Sequence, residues 1–366
     1  MIFNNIIILL FLLFLLFNLV IPFYVSKDDE INNRLFTENS MTKITSDLYM
    51  VNYKNDYYIE DLLKKGAKDY LSLFNYVYSR FGTIYNFKIT NFSSDFSCSA
   101  FNVLNPENQN LFGRNFDNPY TPSFIVWTQP KNGYKSVSFI LGYYLGMTTV
   151  KDIDKDKLLL LPYAPLDGLN EHGLGISVLV AGKNKSNHQH NSTKLDLSTT
   201  LMIRGVLDTC KTTQEAINLF DKYNMHDIND KISYHFFITD NKGNSAVIEY
   251  VDEEMKVFKN NEFNFTKYVY VTNFYLSKPV GEGNNIGINR YKILEQKLKS
   301  DNVTMNWQDA MTLLYNVSQK STVWSNVYNT KDLSLVTAYK NNFKHLYKFN
   351  ILDPMNYTEI IDNPDI

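Results

Sequence analysis

The chain has 366 residues, with 36 lysines and arginines against 38 aspartates and glutamates, which gives a formal net charge of −2. This balance lacks the basic excess that binding to nucleic-acid phosphates requires, so we expect no nucleic-acid partner. Apolar residues make up 44% of the sequence, so the chain can bury a large core and disorder of its bulk is excluded. Two cysteines cannot form a disulfide framework, and the six histidines lack the spacing of a dedicated zinc site.

The first 26 residues are predicted to be a signal peptide. Residues 6–17 form an unbroken apolar run, and charged residues begin only at Lys27. About 20 apolar residues could instead remain as an uncleaved membrane anchor. Pro22 and the polar Ser26 favour cleavage, which predicts a protein of the secretory pathway, either secreted or lysosomal.

Seven N-x-S/T sequons follow the leader, and some arise by chance because the sequence is rich in asparagine. Behind a signal peptide, several of them are expected to be glycosylated and therefore on the surface. The asparagines are Asn91, Asn184, Asn191, Asn264, Asn302, Asn316 and Asn356.

The remaining pattern predicts helices and hairpins in separate blocks. From Asp56 to Arg80, apolar residues recur at spacings of three and four and predict a helical stretch with one apolar face, weakened at Gly66. After Cys98, short strands alternate with turn-rich segments, which predicts antiparallel hairpins rather than crossover connections. The predicted strands are 98–104, 111–116, 123–128, 136–144, 174–181, 234–239, 245–251, 268–272, 322–328 and 333–339; the later helices are two within 197–223, then 288–298 and 307–317.

Cys98-Ser99-Ala100, followed by a G-R-N-F-D segment that contains Arg114 and Asp117, is the most informative stretch. It resembles the N-terminal-nucleophile hydrolases of the choloylglycine hydrolase group. That group includes bile salt hydrolases, penicillin V acylases, acid ceramidase and N-acylethanolamine acid amidase. The resemblance extends from Cys98 to roughly Phe349.

Further motifs of the group follow in the same order along the chain. The segment D-G-L-N-E-H-G-L occupies residues 167–174, and Asn273 stands in a strand-end V-T-N. Arg290 opens a predicted helix, and a closing hairpin is expected at 322–339. The resemblance implies that Cys98 is the nucleophile, Asn273 the oxyanion-hole donor, and Arg114, Asp117 and Arg290 active-site residues.

Two features depart from the bile salt hydrolases. Where they carry an active-site asparagine, this chain has Val180, whose side chain cannot donate a hydrogen bond; its backbone N–H remains a candidate oxyanion donor. In addition, 97 residues precede Cys98, a layout that resembles the lysosomal branch of the group. That layout implies an α chain at 27–97, cut from a catalytic β chain at 98–366, so that one precursor yields an α/β heterodimer.

The resemblance implies an α+β fold, a four-layer αββα sandwich of two antiparallel sheets flanked by helices. No metal ion or organic cofactor is implied. Cutting the Ser97–Cys98 bond would free an α-amine, with an ordinary pKa of about 7.7–8.0, to act as the base for the thiol of Cys98. Arg114 would favour the thiolate, whereas Asp117 would hold the amine by a hydrogen bond.

Each of these assignments has an alternative in which the residue has only a structural role. Arg114 and Asp117 could form only a structural ion pair, Asn273 could be a turn residue, and Arg290 could begin a solvated helix. A papain-like site is disfavoured because no C-G-S-C-W motif surrounds Cys98. The histidines are expected to be surface or hydrogen-bonded residues, and Cys210 a core thiol.

The expected reaction is hydrolysis of a linear N-acyl amide with an apolar acyl chain. The layout points to N-acylethanolamine- or ceramide-like substrates; bile-acid- or penicillin-V-like ones fit Val180 less well. Transient contact with a membrane or lipid surface would suit such a substrate. Two alternatives stay open, an N-acyltransferase on the same fold and a non-catalytic lipid-binding glycoprotein. The oligomeric state beyond the heterodimer is not predicted.

Overall fold

The computed structural model describes residues 41–81, 97–183, 186–228, 231–278 and 286–361. The predicted leader at 1–26 and the sequons at Asn91 and Asn184 lie outside these ranges. Within them, no helix is both long and apolar enough to cross a bilayer.

Eighteen strands form in the described ranges. They are β1 Met41–Lys43, β2 Leu48–Tyr53, β3 Ser97–Leu104, β4 Asn110–Asp117, β5 Ser123–Thr128, β6 Ser136–Leu141, β7 Asp167–Asn170, β8 Gly175–Lys183, β9 Leu195–Ser198, β10 Tyr223–His226, β11 Ile232–Thr239, β12 Ser245–Val251, β13 Glu254–Lys259, β14 Tyr270–Val271, β15 Thr322–Asn329, β16 Ser334–Tyr339, β17 Asn342–Asn350 and β18 Tyr357–Ile361. The α-helices are α1 Ile59–Lys65, α2 Tyr70–Phe81, α3 Lys155–Leu158, α4 Thr199–Thr209, α5 Thr213–Asp221, α6 Ile288–Leu298 and α7 Trp307–Asn316.

The strands form two large sheets. The first has nine described strands in the order β1-β2-β5-β6-β7-β8-β11-β12-β13, and the second has seven in the order β14-β3-β4-β15-β16-β17-β18. Their neighbours are antiparallel except for β2 and β5, which run parallel because β2 arrives from the N-terminal segment. The small pair β9 and β10 is also parallel.

The two sheets pack face to face through apolar side chains. Phe112 of β4 stacks on Phe237 of β11 with ring centroids 5.3 Å apart, and Trp324 of β15 meets Phe139 of β6 at 5.4 Å. Helices α4 and α5 cover the nine-stranded sheet, and α6 and α7 cover the seven-stranded sheet. The expected αββα sandwich is therefore confirmed.

The helical stretch predicted from Asp56 to Arg80 is two helices, α1 and α2. Gly66 ends α1 with a backbone φ of 74°, and a Cβ placed there would lie 2.6 Å from the carbonyl oxygen of Asp196. The chain then forms a bridge between Ala67 and Leu197 before α2 begins. The break follows from this close approach of two backbones, which only glycine permits.

Several strands were not predicted from the sequence. Residues 41–53 contain β1 and β2, the segment 167–174 contains β7, and the expected closing hairpin is extended by β17 and β18. Conversely, the strand expected at 268–272 has only two paired residues, Tyr270 and Val271. Strand β7 looks like a turn by composition, yet it pairs with both β6 and β8 and is fully buried.

Candidate active site

Cys98 is the second residue of β3 and is completely buried. On one side β3 pairs with β4, where Ser97 lies opposite Asp117 and Ala100 opposite Arg114. On the other side it pairs with β14, which reaches only Ala100 and Phe101. The main-chain groups of Cys98 on that side therefore lie beyond the strand ladder.

Side chains replace the missing ladder partner. Asn273, two residues after β14, accepts a hydrogen bond from the Cys98 N–H at its Oδ1, at 2.6 Å. The Nη1 of Arg290, near the start of α6, donates to the Cys98 carbonyl at 2.5 Å and to the Ser99 hydroxyl at 2.8 Å. The Nη2 of Arg290 donates to Asn273 Oδ1 at 2.8 Å. Asn273 and Arg290 therefore form one network around the backbone of Cys98.

The Nδ2 of Asn273 donates to the main-chain carbonyl of Val180 at 2.9 Å. Asn273 therefore contacts the carbonyl of Val180. The group of Val180 that the sequence suggested as an oxyanion donor was instead the N–H. An amide nitrogen carries two hydrogens, so the bond to Val180 leaves one for another acceptor. The oxyanion roles of Asn273 and of the Val180 N–H stay predictions.

Arg114 lies between the two sheets and is completely buried. Its Nη2 donates to the carbonyl of Val178 in β8 at 2.6 Å, and its Nε lies 3.5 Å from Asp167 Oδ2 in β7. Its positive charge lowers the pKa of the Cys98 thiol, but burial has the larger effect and raises that pKa to about 11. In this continuous chain, with Ser97 still bonded to Cys98, the thiol is therefore protonated at physiological pH.

Asp167 is a site residue to which sequence reasoning gave no role. Besides facing Arg114, its carboxylate accepts hydrogen bonds from Trp324, Asn326 and Tyr328 of β15 at 2.8, 3.1 and 2.5 Å. Burial raises the pKa of Asp167, and the charge of Arg114 opposes that rise. The residue stands in the 167–174 motif, so that motif was the signal that could have found it.

Asp117 does not contact the Cys98 nitrogen by hydrogen bond in this uncut chain. Thr322 donates to its Oδ1 at 2.5 Å and Gln319 to its Oδ2 at 2.6 Å, and Arg290 Nη1 lies 3.7 Å from Oδ2. Burial raises the pKa of Asp117, and the Arg290 charge opposes it. The expectation that Asp117 holds a free amine concerns the cut chain and stays a prediction.

A cavity of about 460 Å³, lined mainly by apolar surface, is formed by neighbours in sequence of two residues of this network, and not by the network itself. Its wall includes Phe274 and Tyr291, which directly follow Asn273 and Arg290 in the chain, together with Leu276 and Ile288. Its rim carries charged side chains. The arrangement thus places space for an apolar group next to the segments that carry two predicted site residues.

The fold is shared with a known bile acid hydrolase, and two further solved structures show a weaker likeness. A mutant conjugated bile acid hydrolase from Clostridium perfringens has a TM-score of 0.52 and 17% identity over 72% of this chain and 96% of its own. Penicillin V acylase from Agrobacterium tumefaciens gives 0.43 at 16% identity, covering 70% of this chain and 92% of its own. A Caenorhabditis elegans N-acylethanolamine-hydrolyzing acid amidase ortholog gives 0.42 at 16% identity, covering 64% and 93%.

Comparison with protein families is more specific. Among curated protein sequences no significant match was found. The family model described as linear amide C–N hydrolases, choloylglycine hydrolase family, matches residues 98–282, which is just over half of the chain and begins at Cys98. With the fold and the polar network around Cys98, this match shows that the chain belongs to the choloylglycine hydrolase family of linear amide C–N hydrolases.

Proposed function

We propose that the chain is the precursor of a cysteine amidohydrolase that cuts its own Ser97–Cys98 bond and then hydrolyses linear N-acyl amides. The observation that carries the proposal is the pair of contacts on the Cys98 backbone, from Asn273 to its N–H and from Arg290 to its carbonyl. Any buried main-chain N–H and carbonyl needs a partner, but here the partners are an amide and a guanidinium side chain in place of a neighbouring strand. A cysteine whose own nitrogen takes part in chemistry needs that nitrogen to be held.

Self-cutting begins when the Cys98 thiol, which is protonated in the uncut chain, attacks the carbonyl carbon of Ser97 and releases its proton toward the departing Cys98 nitrogen. The C–N bond breaks, the Cys98 nitrogen takes a proton, and the segment ending at Ser97 is held as a thioester. Water then hydrolyses this thioester, which leaves a carboxylate on Ser97 and a free thiol and amine on Cys98. The product is the predicted heterodimer of an α chain and a β chain.

Substrate hydrolysis follows the same course. The free amine, with an ordinary pKa of about 7.7–8.0, takes the thiol proton and later delivers it to the leaving amine. Cys98 attacks the substrate carbonyl, and the second Nδ2 hydrogen of Asn273 donates to the developing oxyanion, an interaction typically worth about 3 kcal/mol. Water hydrolyses the resulting thioester and releases the acid.

The substrate we propose is an N-acylethanolamine- or ceramide-like amide. The apolar cavity beside Phe274 and Tyr291 supports an apolar acyl chain, since such pockets bury most of a ligand's surface. Val180 offers no side-chain donor to a polar substrate, which argues against bile-acid- and penicillin-V-like amides. The long segment before Cys98 agrees with this choice.

We also propose that the protein enters the secretory pathway and is glycosylated. The five sequon asparagines in the described ranges are all exposed, as attachment of a glycan requires. They are Asn191, Asn264, Asn302, Asn316 and Asn356. Peptide mapping before and after enzymatic deglycosylation would test each asparagine.

The proposal is tested by N-terminal sequencing and intact mass of the expressed protein, held briefly at acid pH. We expect a chain that begins at Cys98, and we expect Cys98→Ala to remain uncut. The cut protein should then release free acid from N-acylethanolamines or ceramides. A wild-type chain that stays uncut, or a Cys98→Ala variant that is still cut, would contradict the mechanism.

Product analysis with the same amides distinguishes two alternatives, an acyltransferase and a non-catalytic lipid-binding module. An acyltransferase would form a new amide when a competing amine is added, in preference to free acid. A lipid-binding module would bind the acyl chain equally well in wild type and Cys98→Ala and would release no product.

A further inference from the structure

Two buried ionisable side chains lie behind the site and take no part in the chemistry proposed above. His235 of β11 and Glu249 of β12 are paired neighbours in the nine-stranded sheet, and both are completely buried. The Nδ1 of His235 lies 3.6 Å from Glu249 Oε2. Burying such groups costs free energy unless their hydrogen bonds are well satisfied, so their partners indicate what the pair does.

Their hydrogen bonds go to the segment that carries Asn273. The Nε2 of His235 lies 2.8 Å from the carbonyl oxygen of Thr272, the residue before Asn273. The carboxylate of Glu249 accepts from the N–H groups of Leu276 at 3.0 Å and Ser277 at 2.8 Å, just after Asn273. The pair therefore holds main-chain groups on both sides of Asn273.

Asn273 needs such support because the strand ladder ends before it. Strand β14 pairs only through Tyr270 and Val271. An oxyanion donor must stay within about 0.5 Å of its productive position. The side chains of His235 and Glu249 come from the opposite sheet, so they fix Asn273 relative to both halves of the sandwich.

The charge state of Glu249 suits this role. Burial by itself would raise the pKa of Glu249, but the nearby His235 and the hydrogen bond from Ser277 outweigh it and lower the pKa. The carboxylate is therefore ionised, and an ionised carboxylate accepts two backbone N–H groups more strongly than a neutral group does.

We propose that His235 and Glu249 are positioning residues that hold Asn273 in place for donation to the oxyanion. The inference rests on the proposed function, in which Asn273 makes that donation. Because an oxyanion exists only in the transition state and the intermediates near it, loosening Asn273 should lower kcat. Phe274 and Leu276 of the same segment line the proposed acyl cavity, so KM should also rise, but by a smaller factor than kcat falls.

The first test is Glu249→Gln, which keeps the shape of the side chain but offers one carbonyl oxygen where two N–H groups need acceptors. Hydrogen–deuterium exchange of a peptide covering 270–278 should become at least several-fold faster in this variant. In the cut enzyme kcat should fall about 10- to 100-fold, the size expected for a displacement of about 1 Å, and KM should rise by a smaller factor. His235→Gln keeps a donor for the Thr272 carbonyl and should give a smaller loss of the same kind.

The matched control is Asp208→Asn, which removes another completely buried carboxylate. Asp208 accepts a hydrogen bond from Tyr57 and lies far along the chain from the Asn273 segment. This variant should leave both kcat and the exchange of 270–278 unchanged. If Glu249→Gln is too unstable to isolate, His235→Gln and the same control carry the test.

The outcomes separate this inference from the proposed function. If wild type releases no acid from any amide, the proposed function fails, and the exchange measurement still decides whether the pair holds the 270–278 segment. If wild type is active and Glu249→Gln changes neither kcat nor exchange, the positioning role is wrong. Faster exchange with unchanged kcat, or a rise in KM alone, would overturn it as well.

Discussion

The segment 41–81 and the site around Cys98 are attached to the molecule by different means. Strand β2 of the segment pairs with β5 over six residues, and aromatic side chains of the segment are buried in the core. The Cys98 backbone is instead held by side chains from distant parts of the chain. The first attachment is broad and mostly apolar, whereas the second depends on a few hydrogen bonds.

This difference indicates which part of the molecule would change when the Ser97–Cys98 bond is cut. None of the described contacts that hold the segment involves that bond, so the segment should stay bound to the β chain after the cut. The site, in contrast, would gain a charged amine among groups that now bond to a peptide N–H. One cleavage can therefore remodel the site without releasing the segment.

The largest loss of stability is expected when the buried ion pair between Arg114 and Asp167 is broken. Asp167→Asn leaves the Arg114 charge without its carboxylate partner, and breaking one partner of a buried pair typically costs about 3–5 kcal/mol of unfolding free energy. Urea unfolding would measure it. Asp221→Asn is the control, since Asp221 pairs with Lys194 while 72% exposed and should cost about 0–1 kcal/mol. Equal losses in the two variants would show that Asp167 contributes no more than a surface pair.

The next effect concerns activity. Asn273→Ala should lower kcat about 10²- to 10³-fold, because it removes the proposed oxyanion donor, and should slow cutting because Cys98 loses its N–H acceptor. Time courses of cutting and of acid release would measure both.

Asn102→Ala is the matched control for Asn273. Asn102 lies on the same strand as Cys98 and is buried, and its Oδ1 accepts from the Val269 N–H at 2.8 Å. Its loss should lower thermal stability with kcat within about threefold. If both variants lose the same activity, Asn273 acts through the structure of β14 and not through an oxyanion.

The comparison also shows what could be read from the sequence. Cys98, Arg114, Asp117 and Arg290 stand in short motifs, and the structure brings them together with Asn273. Asp167 and Glu249, which support the site, were not predicted because each contacts the opposite sheet; Asp167 stands in a motif that gave it no role, and Glu249 stands in none. Asp167 and Glu249 lie 53 and 24 residues away in sequence from Arg114 and Asn273, and only the folded sandwich joins them.

The secondary structure divides in the same way, into elements that a local pattern predicts and elements that depend on distant partners. Hairpins of both sheets were predicted, because turn-forming residues mark the turns between their strands, as at Asn132-Gly133 and from Asp240 to Gly243. The edge strand β1 and its neighbour β2 were missed because the apolar pattern at 48–53 is short and follows a polar stretch. The parallel pairing of β2 with β5 depends on a partner some 75 residues later, which no local pattern encodes.

A pH effect should arise at the contact between the segment and α4. Tyr57 of the segment donates to Asp208 of α4 at 2.8 Å, and burial raises the pKa of Asp208 to about 6. The folded state then binds this proton more tightly than the unfolded state. The resulting stability is present below pH 3.8 and is lost as the pH rises through about 6, by up to about 3 kcal/mol.

Urea unfolding between pH 4 and 7 measures this effect. Asp208→Asn should flatten the decline, because the amide does not titrate. Tyr163→Phe is the control, since it removes a hydroxyl bonded to the Tyr57 carbonyl and leaves the carboxyl in place. The same pH slope in wild type and Asp208→Asn would assign the pH dependence to other groups.

The smallest effect lies at the contact between the segment and the β chain. Gly66→Ala should cost about 1–3 kcal/mol, because the residue has a positive φ and its Cβ would meet the backbone oxygen of Asp196. Gly205→Ala is the control in the same interface, where the new Cβ would meet only flexible methyl groups of Leu63 and Leu219 at 3.3–3.4 Å. In the middle of α4 that alanine should gain up to about 1 kcal/mol, offset by any crowding. If both alanines are neutral, the close approach at Gly66 contributes nothing to how the segment is held, and its attachment depends on β2 and on the buried side chains of the segment.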